Sequence, residues 1–250
     1  MDERIGENTL LQRGDSDHLI VAFSSIMSSY SNAFEFHSLM SKREDTILFV
    51  RDRRRDSFHS GFSGVTGSIE ENVEFLRYLR HRVGARRMTC IGICTGGYAA
   101  ILHGLLADAD DVLTANPRTY VDHEVGRKLK CGPRIPGQFD PIYKHYAKLR
   151  EKPRHLDLNR LFKTADTAVG PVIAHYSENL RMDTINAKNI AGFEQVNLVR
   201  QQSPTHEGLG PILRDRGVLE AHLDTPVDKL VETFCDADQD DKKAPAPRHA

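Results

Sequence analysis

Of the four cysteines in the chain, at positions 90, 94, 131 and 235, one has glycines around it at a spacing that suits chemistry. Gly92 lies two residues before Cys94, and Gly96 and Gly97 lie two and three after it. An apolar run, 88–93, leads in, and a stretch of small residues follows. The pattern reads as a strand turning sharply into a helix, with the Cys94 side chain held out at the top of a sheet. Glycine is needed where backbone segments come too close for Cβ atoms. A thiol at a helix N-terminus lies in the field of the dipole and near free N–H groups, conditions that favour thiolate. The N–H of Thr95, with a second from Ser24 or Ser25 after the first strand, is then placed to hold an oxyanion. The plainer reading is that Cys94 is a small buried apolar residue, as free cysteines often are.

A nucleophile needs a base, and the order nucleophile, acid, histidine directs attention downstream. His206 falls in a loop after the last strand, from which an imidazole reaches back over the sheet. His222 lies in a charged stretch and reads as solvated; His175 lies within a strand and reads as core. The loop after the strand at 171–176 offers two acids, Asp183 and Glu178, with Asp183 narrowly favoured. Asp183 also reads as a cap for a helix beginning at 184.

The stretch from Arg51 to Asp56 carries four arginines and follows a strand whose end faces the same crevice as Cys94. Arginine forks suit carboxylate or phosphate, so Arg53 or Arg54 is a candidate for holding an anionic substrate group, with His59 lining the same pocket. The alternative is a solvated charge run balanced by Asp52 and Asp56.

These residues need a scaffold, and the hydrophobic pattern describes one. Continuous apolar runs at 18–24, 46–51, 88–93, 111–115, 171–176 and 195–200 read as parallel strands buried on both faces. Helices are expected between and after them: one capped by Ser68 with Val73, Leu76, Leu79 and Val83 as its stripe, then 95–107, 143–150, 184–191, 209–216 and 227–234. Residues 1–17 read as an irregular lead-in or a short edge strand, 28–32 as loop, and 34–40 as a short helix or weak strand. The pattern weakens over 118–170, where prolines interrupt it, and this stretch reads as a small lid-like insertion. The fold class is α/β, a mostly parallel sheet with helices on both faces, in one domain spanning 1–235. The tail, 236–250, is charged and reads as disordered.

The bulk numbers exclude several classes. With 250 residues, 39% hydrophobic, the chain buries one sizeable core. A net charge of −1 without a basic face gives no reason to expect nucleic acid. The first residues lack the features of a signal peptide and no apolar run approaches bilayer length, so the expected setting is cytoplasmic, away from membranes. No metal-ligand spacing and no phosphate-binding glycine loop occurs, so neither a metal nor another cofactor is expected.

The Gly-x-Cys-x-Gly-Gly box, the strand pattern and the late His206 resemble the α/β-hydrolase superfamily over about residues 18–220. The box is also similar to those of dienelactone hydrolases and polyhydroxyalkanoate synthases, which place cysteine where most of the superfamily has serine. The resemblance implies an α/β-hydrolase fold and a nucleophile–histidine–acid triad. A cysteine nucleophile forms a thioester with an acyl group, open to water, amines, thiols or alcohols. The expected substrate is therefore an ester, thioester or lactone, small or carrier-bound, and the reaction hydrolysis, acyl transfer or cyclisation. The competing expectation is a non-catalytic binding or scaffold protein on the same fold.

Overall fold

A strand buried on both faces is apolar along most of its length, as the central strands here are. In the computed structural model, which describes residues 2–31, 33–165 and 169–235, eight strands form one sheet: β1 (Asp2–Gly6), β2 (Thr9–Gln12), β3 (His18–Phe23), β4 (Thr46–Val50), β5 (Arg87–Ile93), β6 (Asp111–Ala115), β7 (Val172–Ser177) and β8 (Val196–Gln201). Their order is β1-β2-β4-β3-β5-β6-β7-β8. From β4 to β8 every pairing is parallel, while β1 and β2 add an antiparallel edge. All residues of β3, β4, β6 and β7 are buried. Alternate residues enter opposite cores: Leu19, Val21 and Phe23 face one cluster, Ile20 and Ala22 the other. This is the α/β-hydrolase fold.

The helices divide between the two faces. Helices α1 (His37–Met40), α2 (Ile69–Val83), α3 (Thr95–Leu106), α4 (His123–Lys128), α5 (Asp140–Leu149), α6 (Leu158–Thr164), α7 (Arg181–Asn189), α8 (Leu209–Asp215), α9 (Val218–Asp224) and α10 (Leu230–Cys235) follow in chain order. Leu76 and Leu79 of α2, Leu102 and Leu105 of α3, Ile142 and Tyr146 of α5, and Leu158 and Leu161 of α6 fill the first core. Met40 of α1, Leu213 of α8, Leu219 of α9 and Leu230 of α10 fill the second. Helix α2 begins as its sequence implies: Ser68 Oγ accepts from Glu71 N–H at 3.2 Å, and Gly84 closes it with φ 69°.

Several details depart from the expectations. Residues 1–17 are more than a lead-in, since they contain both antiparallel strands; each is short and half polar, which hides it from a reading based on apolar runs. Ile26–Tyr30 is a 3-10 helix rather than loop, and α7 starts at Arg181 rather than at 184. Within 118–170, Phe139, Ile142, Tyr146, Leu158, Leu161 and Phe162 join the first core. The stretch 236–250, read as a disordered tail, lies outside the described residues.

His222, read as solvated, is fully buried, and its Nε2 lies 2.9 Å from Asp111 Oδ1. The charged neighbours Glu220 and Asp224 occupy other faces of α9, so the charge of the stretch says little about this one position. Arg87 Nε donates to Asp111 Oδ2 at 2.8 Å, and Thr89 Oγ1 donates to the same oxygen at 3.0 Å. His18 Nε2 continues the chain to Thr89 Oγ1 at 2.7 Å. This polar network lies at the N-terminal ends of the parallel strands. The opposite ends of β3, β5, β7 and β8 converge on the site described next.

Candidate active site

Cys94 follows β5 directly and is the N-terminal flanking residue of α3, with φ 55° and ψ −117°. A non-glycine residue in that region is strained and persists only where its surroundings hold it. They do so here through three backbone bonds. Cys94 N–H donates to Ala115 O at 3.1 Å, while Cys94 O accepts from Tyr98 N–H at 3.1 Å and Arg118 N–H at 2.9 Å. The flanking glycines are a matter of contact: a Cβ on Gly96 would lie 2.2 Å from Phe23 O, and one on Gly92 would lie 2.2 Å from Gly96 O.

His206 comes from the loop between β8 and α8, and its Nδ1–H donates to Asp183 Oδ1 at 2.6 Å. Asp183 sits in the first turn of α7 and is 3% exposed, so this carboxylate has little water to turn to. Burial drives the His206 imidazole toward its neutral form. The Asp183 bond and the adjacent Cys94 thiol outweigh it and push the pKa up to about 9. Nε2 has no hydrogen-bond partner among the described residues. The loop is itself held: Asn116 Nδ2 donates to His206 O at 2.9 Å and to Ser177 Oγ at 3.0 Å, and Asn179 Nδ2 donates to Ser203 O at 2.8 Å. Glu178, the other acid candidate, is exposed and accepts from Gln202 Nε2 at 2.6 Å, away from the imidazole.

Cys94 and His206 line a cavity of about 520 Å3. Cys94 is 8% exposed, so a reagent reaches it through this cavity. Much of the wall is apolar, built from Ile26, Met27, Phe36, Leu39, Ile135 and Leu219, with Glu35, Arg134, Gln138 and Arg214 supplying polar groups. Arg134 is paired with Glu207 across the cavity rim.

The oxyanion donors are only partly as expected. Thr95 N–H opens α3 and has no intrahelical acceptor, as any first helical N–H. Ser24 N–H is not free, because it donates to Val50 O at 2.9 Å and extends the β3–β4 pairing by one residue. Ser25 N–H does face the cavity, yet it donates to Glu35 Oε2 at 2.7 Å while Ser25 Oγ–H donates to Oε1. Burial raises the Glu35 pKa, with the two Ser25 bonds pulling the other way. Next in line, Ile26 N–H donates to Thr95 Oγ1 at 2.8 Å.

The three residues expected to hold an anionic substrate group do not line this cavity. Arg53 Nη1 donates to Ser29 O at 3.1 Å and Ser31 O at 3.2 Å, fastening one loop to another. Arg54 turns to Ser60 and lines a different cavity. His59 is 1% exposed, lies near-parallel to Tyr98, and has its Nδ1 3.1 Å from Tyr146 OH. Burial holds its imidazole well below the usual range. Within the loop, Asp52 accepts from the N–H groups of Asp56 and Ser57 at 3.3 and 2.7 Å. Glu35, Arg134 and Gln138 were not anticipated, since they lie in non-periodic loops whose sequence gives no signal of what they face. No group of His, Cys, Asp and Glu suited to a metal ion occurs among the described residues. No described helix is long and apolar enough to cross a membrane.

Comparison with known proteins adds a fold and no closer relationship. Neither a protein-family model nor a curated protein matches the sequence. Solved structures do match in fold. The capsule O-acetyltransferase of Neisseria meningitidis serogroup A superimposes with a TM-score of 0.60 at 10% identity, covering 88% of this chain and 92% of that one. MenH from S. aureus gives 0.54 at 11% identity, covering 85% and 97%. The esterase Pf2001 of Pyrococcus furiosus gives 0.54 at 11% identity, covering 94% and 92%. At such identities the shared property is the α/β-hydrolase fold.

Proposed function

We propose that this protein is an acyl-transferring or acyl-hydrolysing enzyme with Cys94 as nucleophile, His206 as acid and base, and Asp183 as the residue that orients the imidazole. The carrying observation is the strained Cys94 turn beside a His206–Asp183 pair closed at 2.6 Å, with cysteine and histidine opening into one cavity. The site is at the carboxyl ends of the parallel strands, next to the point where the strand order reverses around β3. Enzymes acting on acyl groups are among the proteins that share the fold, the capsule O-acetyltransferase and the esterase included.

The chemistry follows from the neighbours. The proton of the Cys94–His206 pair sits on His206 as the Cys94 sulfur bonds to the carbonyl carbon of an ester, thioester or lactone. The imidazolium returns that proton to the leaving oxygen or sulfur as its bond to carbon breaks. Water, an alcohol, an amine or a second thiol then gives a proton to His206 and displaces Cys94 from the thioester. The apolar wall suits an acyl chain, delivered free or on a carrier, and Arg134 at the cover from the 118–170 segment suits an anionic end.

The test is acylation. Incubated with p-nitrophenyl acetate and with an acyl thioester, the protein should gain one acetyl or acyl mass, lost in Cys94→Ala. Absence of the adduct from both donors, with Cys94 inert to iodoacetamide near neutral pH, sinks the proposal. Adding a competing amine or alcohol separates transfer from hydrolysis by product. One observation favours the second reading, a binding protein on this fold: Glu35 occupies Ser25 N–H, one of the two donors that an oxyanion needs. That reading expects Cys94→Ala to leave the protein's ligand binding unchanged and no acyl adduct to form.

A further inference from the structure

The Arg-rich stretch that the Cys94 cavity leaves unused lines a second cavity, of about 420 Å3. Its walls come from two elements: Arg54, Asp56 and Ser60 from the loop after β4, and Lys144, His145 and Lys148 from α5. Lys144 and Lys148 are one helical turn apart and share a face. Neither has a hydrogen-bond or ion-pair partner among the described residues. Arg54 is pre-set, because its Nη1 donates to both Ser60 O and Ser60 Oγ at 2.9 Å, which leaves Nε and Nη2 of the fork for a ligand.

The floor has the opposite character. Asp56 is 3% exposed, and its Oδ1 has no hydrogen-bond partner among the described residues. Buried polar atoms are almost always partnered, so this oxygen marks a missing group. Burial raises the Asp56 pKa, with Ser60, His145 and Arg54 acting against it. Two unpartnered lysines and the free side of the Arg54 fork at the mouth ask for a multiply charged anion, while a carboxyl at the floor refuses one. A ligand that answers both carries its charge at one end and hydroxyls at the other. A hydroxyl both donates and accepts, so it satisfies Asp56 in either protonation state. Phosphate suits the mouth better than carboxylate, since its oxygens engage an arginine fork and two lysine point charges together. The volume lies in the range of small-molecule sites.

We propose that this cavity binds the phosphate ester of a sugar or polyol, its phosphate on Arg54, Lys144 and Lys148 and a hydroxyl on Asp56. The site is separate from the chemistry at Cys94 and stands whether or not that chemistry is correct.

Calorimetric titration of the full chain with glucose 6-phosphate, ribose 5-phosphate, inorganic phosphate and glucose tests it. At least one sugar phosphate should bind about tenfold more tightly than inorganic phosphate, and glucose should not saturate the protein. The double variant Lys144→Ala, Lys148→Ala, changed only at exposed positions, should weaken sugar phosphate binding about tenfold or more. Asp56→Asn keeps a hydrogen-bonding side chain without the charge, so it should tighten inorganic phosphate and narrow the gap. Equal affinity for inorganic phosphate and both sugar phosphates overturns the proposal. So does undiminished binding by the lysine variant, or no binding of either sugar phosphate.

Discussion

His206 stands between two partners with different demands. In the proposed reaction Asp183 holds the proton on the ring, and Cys94 needs that ring to give the proton up to a departing group. With the pKa up at about 9, acylation by an alkyl ester, whose leaving group requires a proton, should fall as pH rises through about 9. Alkylation of Cys94 by iodoacetamide, which expels iodide and needs none, should not fall over that range. In Asp183→Asn the break should move to lower pH, and rate measurements between about pH 6 and pH 10 check all three. Glu35 is the other residue with a sharp consequence. Freeing Ser25 N–H by Glu35→Ala should raise the acylation rate of Cys94 by small neutral esters about a hundredfold, the lower end of the range for one oxyanion donor. A fall in rate makes Glu35 a support of the Ser25 loop instead. The turn at Cys94 and the pairing of His206 with Asp183 were legible because glycine spacing and chain order can be read directly from the sequence. Glu35 was not, because its role depends on where an aperiodic loop comes to rest.

The elements divide into those that position the rim and those that hold the base. At the rim, Gly96→Ala places a methyl group against the carbonyl of Phe23 and the backbone of Ser24, with no flexible side chain to yield. It should destabilise the protein by about 3 kcal/mol by urea unfolding, and abolish acylation in the fraction that folds. At the base, Asp111 joins α9 to β5 and β6 through His222 and Arg87, with no exposure to water. Asp111→Asn leaves Arg87 with carbonyl partners but no opposite charge and should cost about 3–5 kcal/mol by the same measurement, while acylation at Cys94 in the folded protein stays within about twofold. The central strands could be read from the sequence because burial on both faces makes their runs continuous. For residues 1–17 the sequence leaves open a lead-in or one short edge strand, where two short, half-polar strands, β1 and β2, form the edge. Helices α4, α6 and α9 have six or seven residues each, too few turns for a periodicity to stand out, and this is also why His222 was misread.

For the molecule as a whole, the raised pKa of His206 sets a pH dependence of stability. A group whose pKa rises on folding contributes stability fully below its unfolded value, near 6.5. It loses that contribution as pH climbs through about 9. Urea unfolding of the wild type and of His206→Gln should therefore show the largest difference near pH 6, shrinking toward pH 10. The overall plan was legible because alternating strands and helices admit few arrangements. The partition of loops between two cavities was not, since Arg53 and Arg54 are neighbours in sequence that turn to different partners.

The ionic network at the base also bears on how this chain can change over time. It ties β5, β6 and α9 together at the end of the sheet farthest from Cys94, using none of the groups that line either cavity. Anchorage and chemistry thus draw on separate sets of residues. The loops around the two cavities are free to accept substitutions that redirect substrate choice, with the anchorage held in reserve against the losses that most such substitutions bring. A protein arranged in this way is a promising starting point for selection toward new substrates.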